Sequence, residues 1–346
     1  MGPELSTRAQ KILAAVIKNY IETAGPVASA AISRQRDIGV SPATVRNVMA
    51  ELEEMGYLAQ PHVSAGRVPT PRGLRFYVDS ILEVGELDQA LKAHLKKMLS
   101  GKKDQELGEV LKATSKALSA LSRQVAVVAA PVPEQELFRH IEFILLHPGL
   151  ILVVLVSKGG AVQNRVIEAE PEITQEDLDK FCRYLNELLA DLTLKEVKER
   201  VAREMVQEKA RFDSLTSRAL RLGHKALQGE QGGDVFIEGQ TNLLGAPEFS
   251  DLERLRHVFR AFEEKSTLLR LLEKALAAQG VQIFIGAESE LVEMEGLTAI
   301  TSPYGSGETP LGALAVVGPQ RMDYSRMIPM VEYTARLVSR ILEERS

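Results

Sequence analysis

The stretch SPATVRNVMAELEEMGYLAQPHVSAGRVPTPRGLRFYV, Ser41 to Val78, decides how the whole chain reads. Ser41 is a good N-cap, and Pro42 stands at the first helical position, where its missing N–H costs nothing, so a helix opens here. At 100° per residue Val45, Val48, Met49, Leu52 and Met55 share one face. Asn47 lies almost opposite, with Ala43 and Glu54 near it and Thr44 and Arg46 at the boundary. Gly56 stops the helix. Tyr57 to Ala59 then reads as a strand, and Arg67-Val68-Pro69 as its return partner across a Gly-containing loop. Thr70-Pro71 repeats the capping device and opens a further helix, with Leu74, Val78, Ile81 and Leu82 on its buried side and Arg72 and Arg75 on its first turns.

Upstream, Ile12, Leu13, Val16, Ile17, Tyr20 and Ile21 mark one stripe of a helix that Gly25-Pro26 ends. A second short helix runs from Ser29 to about Arg36. Three helices followed by a small hairpin is the winged-helix order, and residues 1–82 are expected to form that domain. Charge supports the division. The chain of 346 residues carries a formal net charge of -5, yet residues 1–80 hold nine Lys/Arg against seven Asp/Glu, a net of +2 that leaves -7 for the remainder. Positive charge in one segment of an acidic chain points to a polyanion at that segment.

The helix from Ser41 presents polar residues at its exposed start and is anchored on its far side. That is how a helix offers its first turns to base edges in the major groove. Asn47 can pair bidentately with adenine, and Arg46 with guanine or a phosphate. Ser41 and Thr44 stand at the same helix start, while Glu51, Glu53 and Glu54 at the other end would repel the DNA backbone and so set a docking direction. In the hairpin, Ser64, Gly66 and Arg67 are expected to approach phosphate, because small residues clear the way for backbone N–H groups and the guanidinium. Arg72 completes the expected DNA-contacting set. His62 reads as a turn residue rather than a base contact.

Residues 83–123 are charged and helical, with Leu91, Leu95, Met98 and Leu99 on one stripe, and read as a connector. Strand-like runs follow at Val125 to Ala130, Glu142 to Leu146, Ile151 to Val156 and Gln163 to Glu168. Charged helices fill Thr174 to about Gly229, and strands return at Val235 to Glu238, Val281 to Gly286, Leu297 to Ser302 and Leu311 to Val317. Helices are expected at Asp251 to Phe262, Thr267 to Gln279 and Arg326 to Leu342. The helical block interrupts a set of strands, which predicts one α+β domain (124–171 and 230–346) carrying a mainly helical insertion (172–229). The insertion's apolar stripes exceed what a small helical block can bury by itself, so it is the candidate dimer interface.

Other chemistries find little support. The six histidines are scattered without metal-ligand spacing, and Gly305-Ser306-Gly307 lacks the Lys-Ser/Thr of a phosphate-binding loop. No catalytic constellation, metal site or cofactor is expected. The lone Cys182 sits on an apolar helix stripe and reads as a buried structural thiol. The longest nearly uncharged run, Ile144 to Ser157, is too short to span a membrane and is broken by Pro148; with no apolar leader, a cytoplasmic location is expected.

The segment from Ser41 to Asp79 closely resembles the signature region of the HrcA family of bacterial heat-inducible repressors, above all in SAGRVPT and GLRFYVD. Weaker resemblance extends through HPGLILVVLVS and GQTNLLGAPEF to GPQRMDYSRMIPMVEYTARLV. The resemblance implies a winged helix-turn-helix, a GAF-like α/β domain and an inserted dimerising domain. It also implies a homodimer on double-stranded DNA at the CIRCE inverted repeat, repression of groE- and dnaK-type chaperone operons, and modulation by the GroEL-type chaperonin. Two other readings compete: a ligand-sensing regulator that uses the GAF-like domain, and an adaptor whose winged helix binds protein.

Overall fold

Capping fixes the first elements of the computed structural model, which describes residues 5–62, 65–101, 105–130, 137–158, 162–208, 214–227, 235–249, 251–276, 278, 280–290, 296–306 and 309–344. The Ser6 hydroxyl accepts from the Ala9 amide at the start of α1 (Thr7–Thr23), and Ser41 accepts from Thr44 at the start of α3 (Pro42–Glu54). Between them α2 (Ser29–Ser33) is shorter than its expected end at Arg36. It opens at Ala28, which has no side chain to cap it, and its last residues turn instead of continuing. The three helices pack on one another through Ile12, Leu13, Val16, Ile32, Val45, Met49 and Leu52, all fully buried. Met55, expected on that face, is exposed because it caps the helix C-terminus instead of continuing it.

Gly56, at φ +77°, turns the chain out of α3 into β1 (Leu58–Ala59), which pairs antiparallel with β2 (Val68–Pro69). Thr70 caps α4 (Pro71–Phe76), and its hydroxyl also donates 2.7 Å to the Gly56 carbonyl. Gly73 is needed for this packing: a Cβ there would lie 2.1 Å from the Tyr57 carbonyl oxygen. The helix then widens into one π-helical stretch, Tyr77–Ile81.

The expected connector is two helices, α5 (Gln89–Leu99) and α6 (Leu107–Ser122), and α6 forms part of a packed layer. It lies with α12 (Tyr324–Glu343) on one face of a five-stranded antiparallel sheet. The strand order is β7 (Val235–Glu238), β3 (Val125–Ala129), β10 (Thr309–Pro319), β9 (Leu297–Ser306), β8 (Gln282–Ile285). Helix α11 (Lys265–Leu276), with α10 (Leu252–Glu263) beside it, covers the other face. Alternation divides the strands accordingly: Ala126, Val128, Ile300, Leu314 and Val316 join the cluster that holds Leu118 and Val331, and their neighbours point the opposite way. With both faces covered, β3 is buried at every residue, which explains its uninterrupted apolar run VAVVA. The fold is mixed α/β, and residues 1–130 and 234–346 form one compact unit.

Residues 131–233 form a second unit, and here the expected boundaries need correction. The strands expected to belong with the C-terminal sheet, β4 (Phe138–His147), β5 (Leu150–Ser157) and β6 (Val162–Glu168), make a separate antiparallel sheet in the order β4-β5-β6. Its inner face, Ile141, Phe143, Ile151, Val153, Leu155 and Ile167, packs on α7 (Gln175–Leu188), α8 (Leu194–Glu208) and α9 (Ser214–Leu227). Helix α7 also seals the open edge of β4. Asn186 and Gln175 side chains accept from the Ile141 and Leu145 amides at 2.8 Å, and Cys182 Sγ accepts from Phe143 at 3.2 Å. Side chains seven and four residues apart, on one face of the helix, thereby satisfy alternate N–H groups of an edge strand. The helical stripes expected at a dimer interface are thus already covered by this sheet. The apolar surface left over lies on the sheet's outer face, where Ile144, Leu152 and Val166 form one cross-strand row and Val156 and Val162 another. Ile144, Leu146, Val162 and Val166 are exposed.

Candidate nucleic-acid interface

Helix α3 carries the expected contact residues on the side away from its anchors. Arg46 and Asn47 are exposed, opposite buried Val45, Val48, Met49 and Leu52. Ser41 Oγ and Thr44 Oγ1 lie 3.0 Å apart at the helix start, both held by the cap. Unpaired first-turn N–H groups and the positive end of the helix dipole make this end favourable for an anion. Four of the expected residues therefore fall within the first two turns of one rigid helix. Two more exposed arginines, Arg34 and Arg36, stand on the turn between α2 and α3. Their place was legible in SRQRD, but only the shortness of α2 puts them on a turn.

The hairpin is built differently from the sequence expectation. A Cβ on Gly66 would lie 2.4 Å from the Val27 carbonyl oxygen, so glycine is required by the close approach of the hairpin to the α1–α2 connection. Val27 and Arg67 exchange both backbone hydrogen bonds, at 2.8 and 2.9 Å. The Arg67 guanidinium does not reach outward. Its Nε and Nη2 both lie 2.8 Å from Glu53 Oε2, at the far end of α3, and only 16% of its side chain is exposed. It ties the hairpin to α3. Spacing gave no hint of this partner, because Glu53 reads as one of three solvated acids at a helix end. Ser64 lies outside the described residues, and His62 is exposed at the hairpin.

Arg72 is exposed on the first turn of α4, with its guanidinium 4.9 Å from the centre of the Tyr57 ring, which itself packs on Phe76 at 5.2 Å. Stacking on a buried ring aims an exposed cation without neutralising it. Arg75, one turn on, faces the other way. Its Nε donates 3.0 Å to Glu288 Oε1, Nη1 donates 3.1 Å to Asp79, and Nη2 reaches both Glu288 and the Ile283 carbonyl. Of the three arginines in the basic stretch, then, one is presented, one is tied to α3 and one is tied to the C-terminal sheet.

No group of three or more metal-binding side chains occurs among the described residues, and no described helix is long and apolar enough to cross a membrane. Cys182 is buried, and burial pushes its thiol pKa up to about 11. A thiol so held is neutral and unreactive at neutral pH.

Residues 108–328 match the family described as HrcA protein C terminal domain. The chain is 50% identical over 340 residues to the heat-inducible transcription repressor HrcA of Geobacter sulfurreducens, covering 98% of this chain and 99% of that one. It is 49% identical over 343 residues to the protein of the same name from Syntrophobacter fumaroxidans, covering 99% and 98%. Among solved structures it is similar to a protein titled only as hypothetical, with a TM-score of 0.61 and 25% identity, covering 99% of this chain and all of that one.

Proposed function

The chain belongs to the HrcA family of heat-inducible transcription repressors, and on that premise we propose that it represses chaperone operons by binding an inverted-repeat operator as a dimer. One observation carries the DNA reading: α3 exposes Arg46 and Asn47 beside a capped, hydroxyl-lined N-terminus while its opposite face is fully buried. In this winged-helix reading of residues 1–82, α3 enters the major groove, with Asn47 and Arg46 at base edges, Ser41 and Thr44 at a phosphate beside the helix start, and Arg72 on the flanking backbone. Gly66 and Arg67 shape the wing and hold it on α3. The five-stranded sheet with the helices α6, α10, α11 and α12 that cover it is the GAF-like body. The operator is of the CIRCE type, the genes are of groE and dnaK type, and the repressor acts in the cytoplasm, as a regulator and not an enzyme.

Symmetric DNA calls for a symmetric protein. The outer face of β4-β5-β6 supports self-association: its rows of Ile, Leu and Val are apolar and exposed, with charge only at His140, Glu142 and Glu168. Heat would deplete the folded, binding-competent population, and chaperonin free of other clients would restore it. Footprinting on promoters of the source genome's chaperone operons tests the reading; protection of an inverted repeat is expected, and its absence would remove the proposal. Within that footprint, Asn47→Ala and Arg46→Ala should each cost about 1–3 kcal/mol and relax base preference.

A further inference from the structure

The five-stranded sheet and the DNA-reading helices share an apolar core, and across it runs one charged side chain that no DNA contact requires. Arg75 leaves α4 for Glu288, which lies on the short 3-10 turn after β8, and it also reaches the Ile283 carbonyl on β8. Glu288 is itself fixed, since Oε2 accepts from the Ile285 amide at 2.8 Å. Beneath this pair, Leu74 and Tyr77 share an apolar cluster with Ile285, Tyr324 and Met327. Nearby, a cleft of about 540 Å3, lined by Lys18, Glu22, Tyr77, Asp323 and others, separates α1 from the start of α12. Packing there is incomplete, so the helices have room to tilt about the Tyr77 contact unless something holds them. Tilt at α4 would be passed on intact. Gly73 has no clearance from Tyr57, and Thr70 is hydrogen-bonded to Gly56 and Tyr57 at the end of α3.

We propose that Arg75 and Glu288 form a positioning latch that fixes the attitude of α3 relative to the five-stranded sheet, and so sets which half-site spacing the dimer accepts. The inference rests on the proposed function above. In a dimer joined elsewhere in the chain, the separation and rotation of two recognition helices are defined only if each is rigid against its own body. A guanidinium with three of its nitrogens bonded to two carboxylates and a carbonyl supplies directional restraint that apolar packing does not.

The sign of one substitution separates this role from simple electrostatics. Glu288→Gln removes a negative charge from a protein that binds a polyanion, which by itself leaves affinity unchanged or raises it. The latch predicts the opposite: full-length Glu288→Gln should bind the footprinted operator about tenfold more weakly, the order of one lost charge-assisted hydrogen bond. It should keep wild-type affinity for a single half-site. It should also discriminate less against an operator whose spacer is lengthened by roughly five base pairs, half a helical turn. Arg75→Met should behave likewise with an unchanged salt slope, and Arg75→Lys should recover part of the loss. Operator binding by Glu288→Gln as tight as or tighter than wild type, or an equal loss on half-site and operator, overturns the latch. Wild-type protein that ignores the inverted repeat would overturn the repressor reading itself, and the latch with it.

Discussion

Arg67 offers the sharpest test of how the hairpin is built. Removing its side chain with Arg67→Ala leaves the backbone pair to Val27 intact and deletes two contacts of 2.8 Å to one carboxylate oxygen of Glu53. A charge-assisted hydrogen bond contributes roughly 1.5–3 kcal/mol when buried. Glu53 remains 32% exposed, so water recovers part of that when the partner is gone, and a coupling of about 1–2 kcal/mol is expected. The assay is a double-mutant cycle of Arg67→Ala and Glu53→Ala, read by hydrogen exchange of the amides in residues 65–70. Each single variant should open the hairpin about tenfold more often, and the double variant no more often than either. The same proteins decide what the arginine does on DNA. As a tie to α3, its loss weakens binding to all sequences with little change in salt slope, whereas a direct phosphate contact would lower the slope by about 0.9. Additive exchange rates, or a slope reduced by that amount, would refute the tie.

Three further outcomes follow from the geometry. Val166→Asp, at the β6 end of the exposed apolar row of the three-stranded sheet, should shift sedimentation toward monomer without unfolding the chain, because the residue is half exposed and lies on the outer face. Burial pushes the Glu288 carboxyl up, but hydrogen bonds from Arg75 and the Ile285 amide and the guanidinium charge outweigh it and hold its pKa below the ordinary value. A depressed folded pKa means that its contribution to stability is complete above about pH 4.3 and lost as pH falls through the folded value, so the acid limb of unfolding should be shallower in Glu288→Gln. Cys182 should react with a disulfide reagent at pH 8 only as fast as the second unit opens, its thiol being shielded and its pKa near 11. Reaction at the rate of a free thiol would contradict its burial against Phe143.

Local chemistry made much of this legible in the sequence. Caps at Ser41 and Thr70, stops at Gly56, and the periodicities of α1 and α3 depend on neighbours within a turn or two, and the structure places them as read. The strand segments were found for the same reason, since their apolar runs need only backbone alternation. What escaped the sequence was set by partners distant in the chain: the sheet that residues 138–168 join, and the carboxylates that hold Arg67 and Arg75. The strands of residues 138–168 look like those of residues 297–319, and nothing local says which sheet a strand joins; the pairing in fact closes within β4-β5-β6 and reassigns the apolar surface from helices to a sheet face.

The basic stretch shows the same division at single residues. The sequence by itself determined that three arginines without an acid lie between Gln60 and Val78, and its helical period put Asn47 opposite the buried face of the helix before them with Arg46 at the boundary. Which arginine is available was decided only by tertiary structure. Arg72 stays presented on Tyr57, Arg67 is drawn to Glu53 across 14 residues, and Arg75 to Glu288 across 213. An arginine's charge is a property of the residue, but where that charge acts depends on which carboxylates the fold brings within reach.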